Sequence, residues 1–379
     1  AGKTRMFLDT LPHEIQRGLS AELAYALYGF KNGKPMKLKN PLDKKERSRI
    51  VDECEKIISF VDTVGHEPWL RTTIRGLVGQ SVDYGLLTIG IDSGITKITK
   101  EHLGILLALG IPVIVVLTKI DRFDEKRIKE VEEEVEKMLK YIGKVPFRIK
   151  SKQDVALVVD RLDVIVPIIQ TSAKTLEGYE LLDELLLHLN PRRRELERPF
   201  LMYIDKVYNI KGVGTVVSGT VKQGEIETGS EVLLGPFKTG EFKRVKATSI
   251  QTHYHPLDKV KAGFVVGVAL RGVKYEDVHR GMVICDPELN PSAIWRFEAD
   301  ILVLNHPTCV KVGYEPVVHV NTIAETAKIE WLEKEYLKAG ESGRAIMKFK
   351  FRPHFIQPGE KFVFREGKTK GIGTILRVV

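Results

Sequence analysis

Val61-Asp62-Thr63-Val64-Gly65-His66-Glu67 is the stretch whose reading decides the fold of this chain. Upstream, Glu55-Lys56-Ile57-Ile58-Ser59-Phe60-Val61 has the character of a buried strand that ends at a carboxylate, and downstream Trp69-Leu70-Arg71-Thr72-Thr73-Ile74 opens a helical pattern. A carboxylate at a strand end, followed by a glycine and a loop, sits where open α/β sheets bind ligands. Asp62 suits a Mg2+ ion held through water, because Mg2+ takes oxygen ligands and keeps several waters. Gly65 allows a backbone N–H to approach a terminal phosphate that a side chain would block. His66 can orient the attacking water. An Asp-x-x-Gly string alone is common in turns, so this reading requires further motifs at suitable distances.

Two follow in order. Pro112-Val113-Ile114-Val115-Val116-Leu117 is an apolar run suited to a strand covered on both faces, and it delivers Thr118-Lys119-Ile120-Asp121. The Asp121 carboxylate can accept hydrogen bonds from guanine N1–H and the exocyclic amine while the Lys119 stem lies along the base. Adenine lacks that donor pair, and a site left with unpaired polar groups rejects the wrong base. Val164-Ile165-Val166-Pro167-Ile168-Ile169-Gln170 is a second apolar strand leading into Thr171-Ser172-Ala173-Lys174, where the Ala173 N–H can meet guanine O6. Each motif is weak by itself. Their order and spacing together predict a guanine-nucleotide domain of α/β P-loop type, with Gly65, Thr118, Lys119, Asp121, Ser172, Ala173 and Lys174 at the nucleotide.

Glu14-Ile15-Gln16-Arg17-Gly18-Leu19-Ser20 is similar to the Arg-Gly-Ile-Thr element of the first switch loop in translational GTPases of the elongation factor Tu class. That resemblance implies Mg2+ ligation by the Ser20 hydroxyl and a hydrophobic gate at Leu19 beside a catalytic His66. Asp92-Ser93-Gly94 and Thr99-Lys100-Glu101-His102-Leu103 also resemble the class. Within it, Phe7-Leu8-Asp9-Thr10-Leu11-Pro12-His13-Glu14 and Ala24-Tyr25-Ala26-Leu27-Tyr28-Gly29-Phe30 look most like the GTP-binding protein 1 family.

Three departures stand out. Thr118 replaces the usual asparagine, and its hydroxyl cannot span the base and the phosphate loop as an amide can. Ser20 replaces threonine and keeps the ligating hydroxyl. No Gly-x-x-x-x-Gly-Lys-[Ser/Thr] loop occurs in the 379 residues, and such a loop is what cradles the α- and β-phosphates. Gly2-Lys3-Thr4 mimics its end, but no apolar helix follows. The expectation is a domain lacking its first strand, phosphate loop and first helix.

Helical periodicity in Gly178-Tyr179-Glu180-Leu181-Leu182-Asp183-Glu184-Leu185-Leu186 ends at Asn190-Pro191, and a charged linker follows at Arg192-Arg193-Arg194-Glu195. Beyond it the chain turns to short Val-, Gly- and Thr-rich strands, including Tyr203-Ile204-Asp205-Lys206-Val207 and Gly214 to Val221, a spacing suited to an antiparallel barrel. Gly212 to Gly219, Lys261-Ala262-Gly263, Leu270-Arg271-Gly272-Val273 and Arg280-Gly281-Met282 resemble the second domain of elongation factor Tu. A second barrel starts after Ile284, with Phe297 to Val303, Ala345 to Phe351 and Gly371 to Leu376 as strands. The division is a G domain at 1–196, a β-barrel at 197–285 and another at 286–379.

Composition of 43% hydrophobic and 29% charged residues is that of a soluble globular protein. The apolar stretch Leu103 to Leu117 is too short to span a bilayer and is broken by Gly110 and Pro112. Cys54, Cys285 and Cys309 are too few and too scattered for a disulfide framework or a zinc site, which suits a reducing cytoplasm. The net charge of +9 divides as +3 before Glu197 and +6 from there on. A surplus on barrels fits RNA phosphates and also fits simple solubility. Arg271 and the Tyr254-His255-Pro256 loop are weak candidates for RNA contact.

Other features have plain readings. Glu130 to Lys137 reads as the solvated face of a helix whose buried stripe is Val131, Val135 and Leu139. His253 and His255, two apart on one strand face, form a surface pair, since zinc needs more ligands. His13 reads as a structural loop histidine. The function expected is a monomeric GTPase that takes GTP or GDP with Mg2+, acts on the ribosome, binds aminoacyl-tRNA or other RNA and touches no membrane. Its alternative is a non-hydrolysing RNA-binding or scaffold protein derived from such an enzyme.

Overall fold

The computed structural model of the chain describes residues 23–40, 43–63, 70–192, 194–367 and 369–379. Its nucleotide-type domain begins with β1 (Ala24–Lys31), β2 (Lys34–Pro35), α1 (Lys44–Glu53) and β3 (Lys56–Asp62). There follow α2 (Leu70–Gly79), β4 (Gly85–Gly90), α3 (Lys97–Leu109), β5 (Val113–Thr118), α4 (Glu125–Tyr141) and β6 (Val145–Arg148). It closes with α5 (Lys152–Val158), β7 (Ile165–Gln170) and α6 (Tyr179–His188).

A parallel sheet of order β4-β5-β7-β6 forms the centre. Strand β5 is covered on both faces, as its apolar run predicts. Val113, Val115 and Leu117 pack with α3 and α4, while Ile114 and Val116 pack with α5 and α6. The local signals for the helices are in place. Thr96 and Thr99 form a capping box at the start of α3, and Gly110 ends it in the left-handed region at φ 70°. In α4, Val131, Val135 and Leu139 are fully buried. One acid of the run is not on the solvated face. Glu132 is buried, with Arg148 at 3.2 Å and the Gln170 amide donating at 3.0 Å.

Strand β3 departs from the sequence reading. It lies in a separate antiparallel sheet of order β2-β1-β3, with Ala24 opposite Asp62 and Phe30 opposite Lys56, and it is half-buried rather than buried. No ladder joins it to the parallel sheet, yet Phe30, with Tyr28, Ile58 and Phe60, packs in the cluster made by β5, β7, α5 and α6. The Tyr28 hydroxyl donates to Asp183 of α6 at 2.7 Å and the Lys56 ammonium to the Leu187 carbonyl at 2.6 Å.

Two closed barrels follow. In the first, six strands form a ring in the order 231–235, 283–285, 201–203, 214–223, 265–271 and 243–252, closed by pairing of 231–235 with 243–252. The second ring runs 296–305, 342–349, 323–332, 317–320, 361–366 and 369–378. Gly371 and Gly373 are required there, because a Cβ would lie 2.0 Å from the Phe364 ring and 2.3 Å from the Phe362 ring. Tyr203 to Val207 is not one strand. The strands are 201–203 and 206–210, and between them Ile204 N–H donates to the Met282 carbonyl and Asp205 N–H to the Ser218 carbonyl, both at 2.8 Å. His253 and Tyr254 lie in a turn with φ of 46° and 70°, not on a strand face. The ring of His253 meets Ser59 of β3 at 2.9 Å, and that of His255 meets Ser48 of α1 at 3.0 Å.

The three units are joined in different ways. The barrels share a core, with Leu201, Tyr203, Val283 and Cys285 packed among residues of the second barrel. Between the nucleotide-type domain and that second barrel, Ile74, Val78 and Ile105 meet Val363, and Lys370 pairs with Glu101 at 2.7 Å. The contact with the first barrel is polar and buried. The Gln80 amide, just past α2, donates to Asp205 at 2.9 Å; Arg280 lies 2.9 Å from the same carboxylate, and the Thr220 hydroxyl donates to the Gln80 carbonyl at 3.2 Å. Asp205→Ala removes the acceptor common to Gln80 and Arg280. We expect a loss of about 2–3 kcal/mol in urea unfolding, and stability equal to wild type would contradict a structural role for this node.

Candidate functional site

Strands β5 and β7 are neighbours in one parallel sheet, so their C-terminal ends emerge side by side. The backbones of the two loops are tied together. Thr171 N–H donates to the Leu117 carbonyl at 2.7 Å, and Ile120 N–H to the Thr171 carbonyl at 3.4 Å. This brings Thr118, Lys119 and Asp121 against Ser172, Ala173 and Lys174, as the motif spacing implies. The fully buried Ser172 hydroxyl donates to Asp121 Oδ1 at 2.6 Å and accepts from the N–H groups of Lys174 and Thr175 at 3.2 and 3.1 Å. Its role is to fix the carboxylate and to shape the turn. Asp121, Lys119, Ala173 and Lys174 are themselves exposed.

Gly178 supports this arrangement from behind. It caps the N-terminus of α6 at φ 77°, and a Cβ there would lie 1.8 Å from the Gln170 carbonyl oxygen. Lys119 is also left-handed, at φ 66°. Its ammonium reaches Asp92, at the end of β4, at 2.6 Å. Hydrogen bonding to Lys119 holds the Asp92 carboxyl below the usual carboxylate range. Asp92 was open to discovery from sequence by the strand-end rule that singles out Asp121, yet nothing in a linear reading pairs it with a lysine 27 positions away. Thr118 turns its hydroxyl back to the Ile89 carbonyl at 3.5 Å.

Of the remaining expected residues, only Asp62 is described, and it does not join this cluster. Asp62 is an exposed carboxylate at the end of β3, in the other sheet. Leu19, Ser20, Gly65 and His66 lie outside the described residues. Among the described residues no group of three His, Cys, Asp or Glu side chains is placed to hold a metal, and no helix is long and apolar enough to cross a membrane.

Comparison with known proteins extends the picture along the chain. Residues 1–191 match the elongation factor Tu GTP binding domain, 214–285 match elongation factor Tu domain 2, and 290–379 match the elongation factor Tu C-terminal domain. GTP-binding protein 1 of Xenopus laevis is 37% identical over all of this chain, and GTP-binding protein 2 of Homo sapiens is 33% identical over all of it. The chain spans 59% and 64% of the length of those relatives. Elongation factor 1-alpha of Methanopyrus kandleri is 30% identical over 97% of the chain and 81% of its own length. Two solved structures share the fold. A bacterial selenocysteine-specific elongation factor has a TM-score of 0.70 at 23% identity, over 97% of this chain and 53% of its own. The elongation factor SelB of Methanococcus maripaludis, in complex with a GTP analogue, has a TM-score of 0.68 at 20% identity, over 98% of this chain and 78% of its own.

Ser172→Ala strips a buried hydroxyl from one acceptor and two donors. The expected cost is about 1–2 kcal/mol in thermal or urea unfolding, and an unchanged midpoint would show that Asp121 is held by other means.

Proposed function

This chain belongs to the elongation factor Tu family of translational GTPases, and on that premise we propose that it belongs to a ribosome-dependent GTPase that binds aminoacyl-tRNA or a related RNA. The observation that carries the reading is the Asp121–Ser172 pair, which presents an oriented carboxylate and the Ala173 N–H at adjoining strand ends. That geometry favours guanine, and it supports GTP and GDP as ligands. Asp62, exposed at the strand end, and Ser20 would hold Mg2+, the former through water; the ion would neutralise charge on the β- and γ-phosphates when bound. Gly65 would sense the γ-phosphate, Leu19 would flank His66, and His66 would position water.

The domain contacts support a switch. Helix α2 begins directly after the 62–69 stretch and bears on both barrels, through Ile74 and Val78 at one and through Gln80 at the other. A change at the γ-phosphate would therefore reach the barrels through one rigid helix. RNA binding has its own support. Tyr208, Ile210 and Val213 on the hairpin 206–223, and Tyr275 nearby in sequence to Arg271 and Lys274, are exposed. Exposed aromatic and apolar side chains with cations beside them suit unstacked bases and phosphates.

Two variants of the full-length protein test the reading. His66→Ala should keep GTP affinity but lower ribosome-stimulated turnover by about 100-fold or more, since the water loses its orientation. Normal stimulated rates would remove His66 from the mechanism. Asp121→Asn should weaken guanine nucleotides by about 100-fold or more and favour xanthine nucleotides, whose C2 carbonyl accepts from an amide where guanine offers an amine. Unaltered base preference would remove Asp121 from the base site.

A further inference from the structure

Lys119 has to be held in place, because its backbone is left-handed and its side chain projects from an exposed loop. The preceding residue contributes no tie across the site, since the Thr118 hydroxyl turns back to Ile89. The ties come instead from the end of β4. Ile91 N–H donates to the Thr118 carbonyl at 3.1 Å, and the Asp92 carboxylate takes the Lys119 ammonium at 2.6 Å. Asp92 is itself fixed. The Ser93 N–H and hydroxyl donate to its Oδ1 at 3.0 and 3.3 Å. That oxygen occupies the space a side chain at residue 90 would need, since a Cβ on Gly90 would lie 2.3 Å from it.

Resting on the guanine-site reading above, we propose that Asp92 is a positioning residue for the base: it anchors the Lys119 ammonium so that the lysine stem lies along the base face. The anchor has a second effect. Lys119 and Asp121 are two residues apart, and an unanchored ammonium could fold onto the Asp121 carboxylate and mask it from the base. With the ammonium drawn to β4, Asp121 keeps Ser172 as its partner and presents its remaining lone pairs outward. The Asp92 carboxyl, lowered by its bond to Lys119, is ionised throughout the physiological range.

The test is equilibrium binding and dissociation of fluorescent GDP and IDP in the full-length protein. Asp92→Asn should weaken both nucleotides by the same factor, about fivefold, the scale of a half-exposed ion pair. The factor is shared because the lysine stem meets the base face, which both possess, and not the exocyclic amine that IDP lacks. Asp92→Glu should recover most of the affinity. In a Lys119→Met background, Asp92→Asn should add nothing, which separates positioning from a general structural loss. Wild-type affinity in Asp92→Asn, or a fully additive double variant, overturns the assignment of Asp92 alone. A wild-type protein that binds neither nucleotide overturns the guanine-site reading and this inference with it.

Discussion

The carboxylate of Asp205, almost fully buried between two domains, is the constraint on which the arrangement turns. A buried charge is tolerable only when its hydrogen bonds are made. Arg280 supplies an opposite charge from within the first barrel, and Gln80 donates a hydrogen bond from just past α2. The joint between the barrels is of another kind. Its shared apolar core would expose Leu201, Val283 and Phe355 on separation, and no solvent contact compensates that. The barrels therefore form one body, which meets the first domain through this polar contact and through the apolar one of Ile74, Val78 and Ile105 with Val363.

The cluster of Asp121, Ser172 and Lys119 has a comparable division between rigid and adjustable parts. Ser172 is fully buried and serves the Asp121 carboxylate and two backbone donors at once, so its position is over-determined. Lys119 depends on a single long side chain and one ion pair at the surface. The Asp121 carboxylate is built into the fold through Ser172, whereas the Lys119 ammonium is held by electrostatics and is the more open to salt.

Features carried by local pattern were legible in the sequence. The unbroken run Val113 to Leu117 announced a strand buried on both sides, and the spacing of Val131, Val135 and Leu139 announced the buried stripe of α4. The order of strand-end motifs brought Asp121 and Ser172 together correctly. What depended on pairing between distant segments was not legible. Strand β3 reads like a member of the central sheet, and only its antiparallel pairing with β1 shows that it lies in another. Glu132 is one acid among several until Arg148 and Gln170 arrive beside it. Asp205 sits in an alternating pattern that looks like strand, and its side-chain partners Gln80 and Arg280 come from distant segments.

The glycines at 371 and 373 carry a consequence for how this barrel can vary. Each lies beneath a phenylalanine ring of the adjoining strand, Phe364 and Phe362. Ring and missing side chain are one volume shared across two strands, so neither position is free to change by itself. A methyl group introduced at 371 needs a smaller residue at 364, and truncating Phe362 leaves a void that a side chain at 373 is placed to fill. Sequence drift in the second barrel should therefore move through these positions in couples.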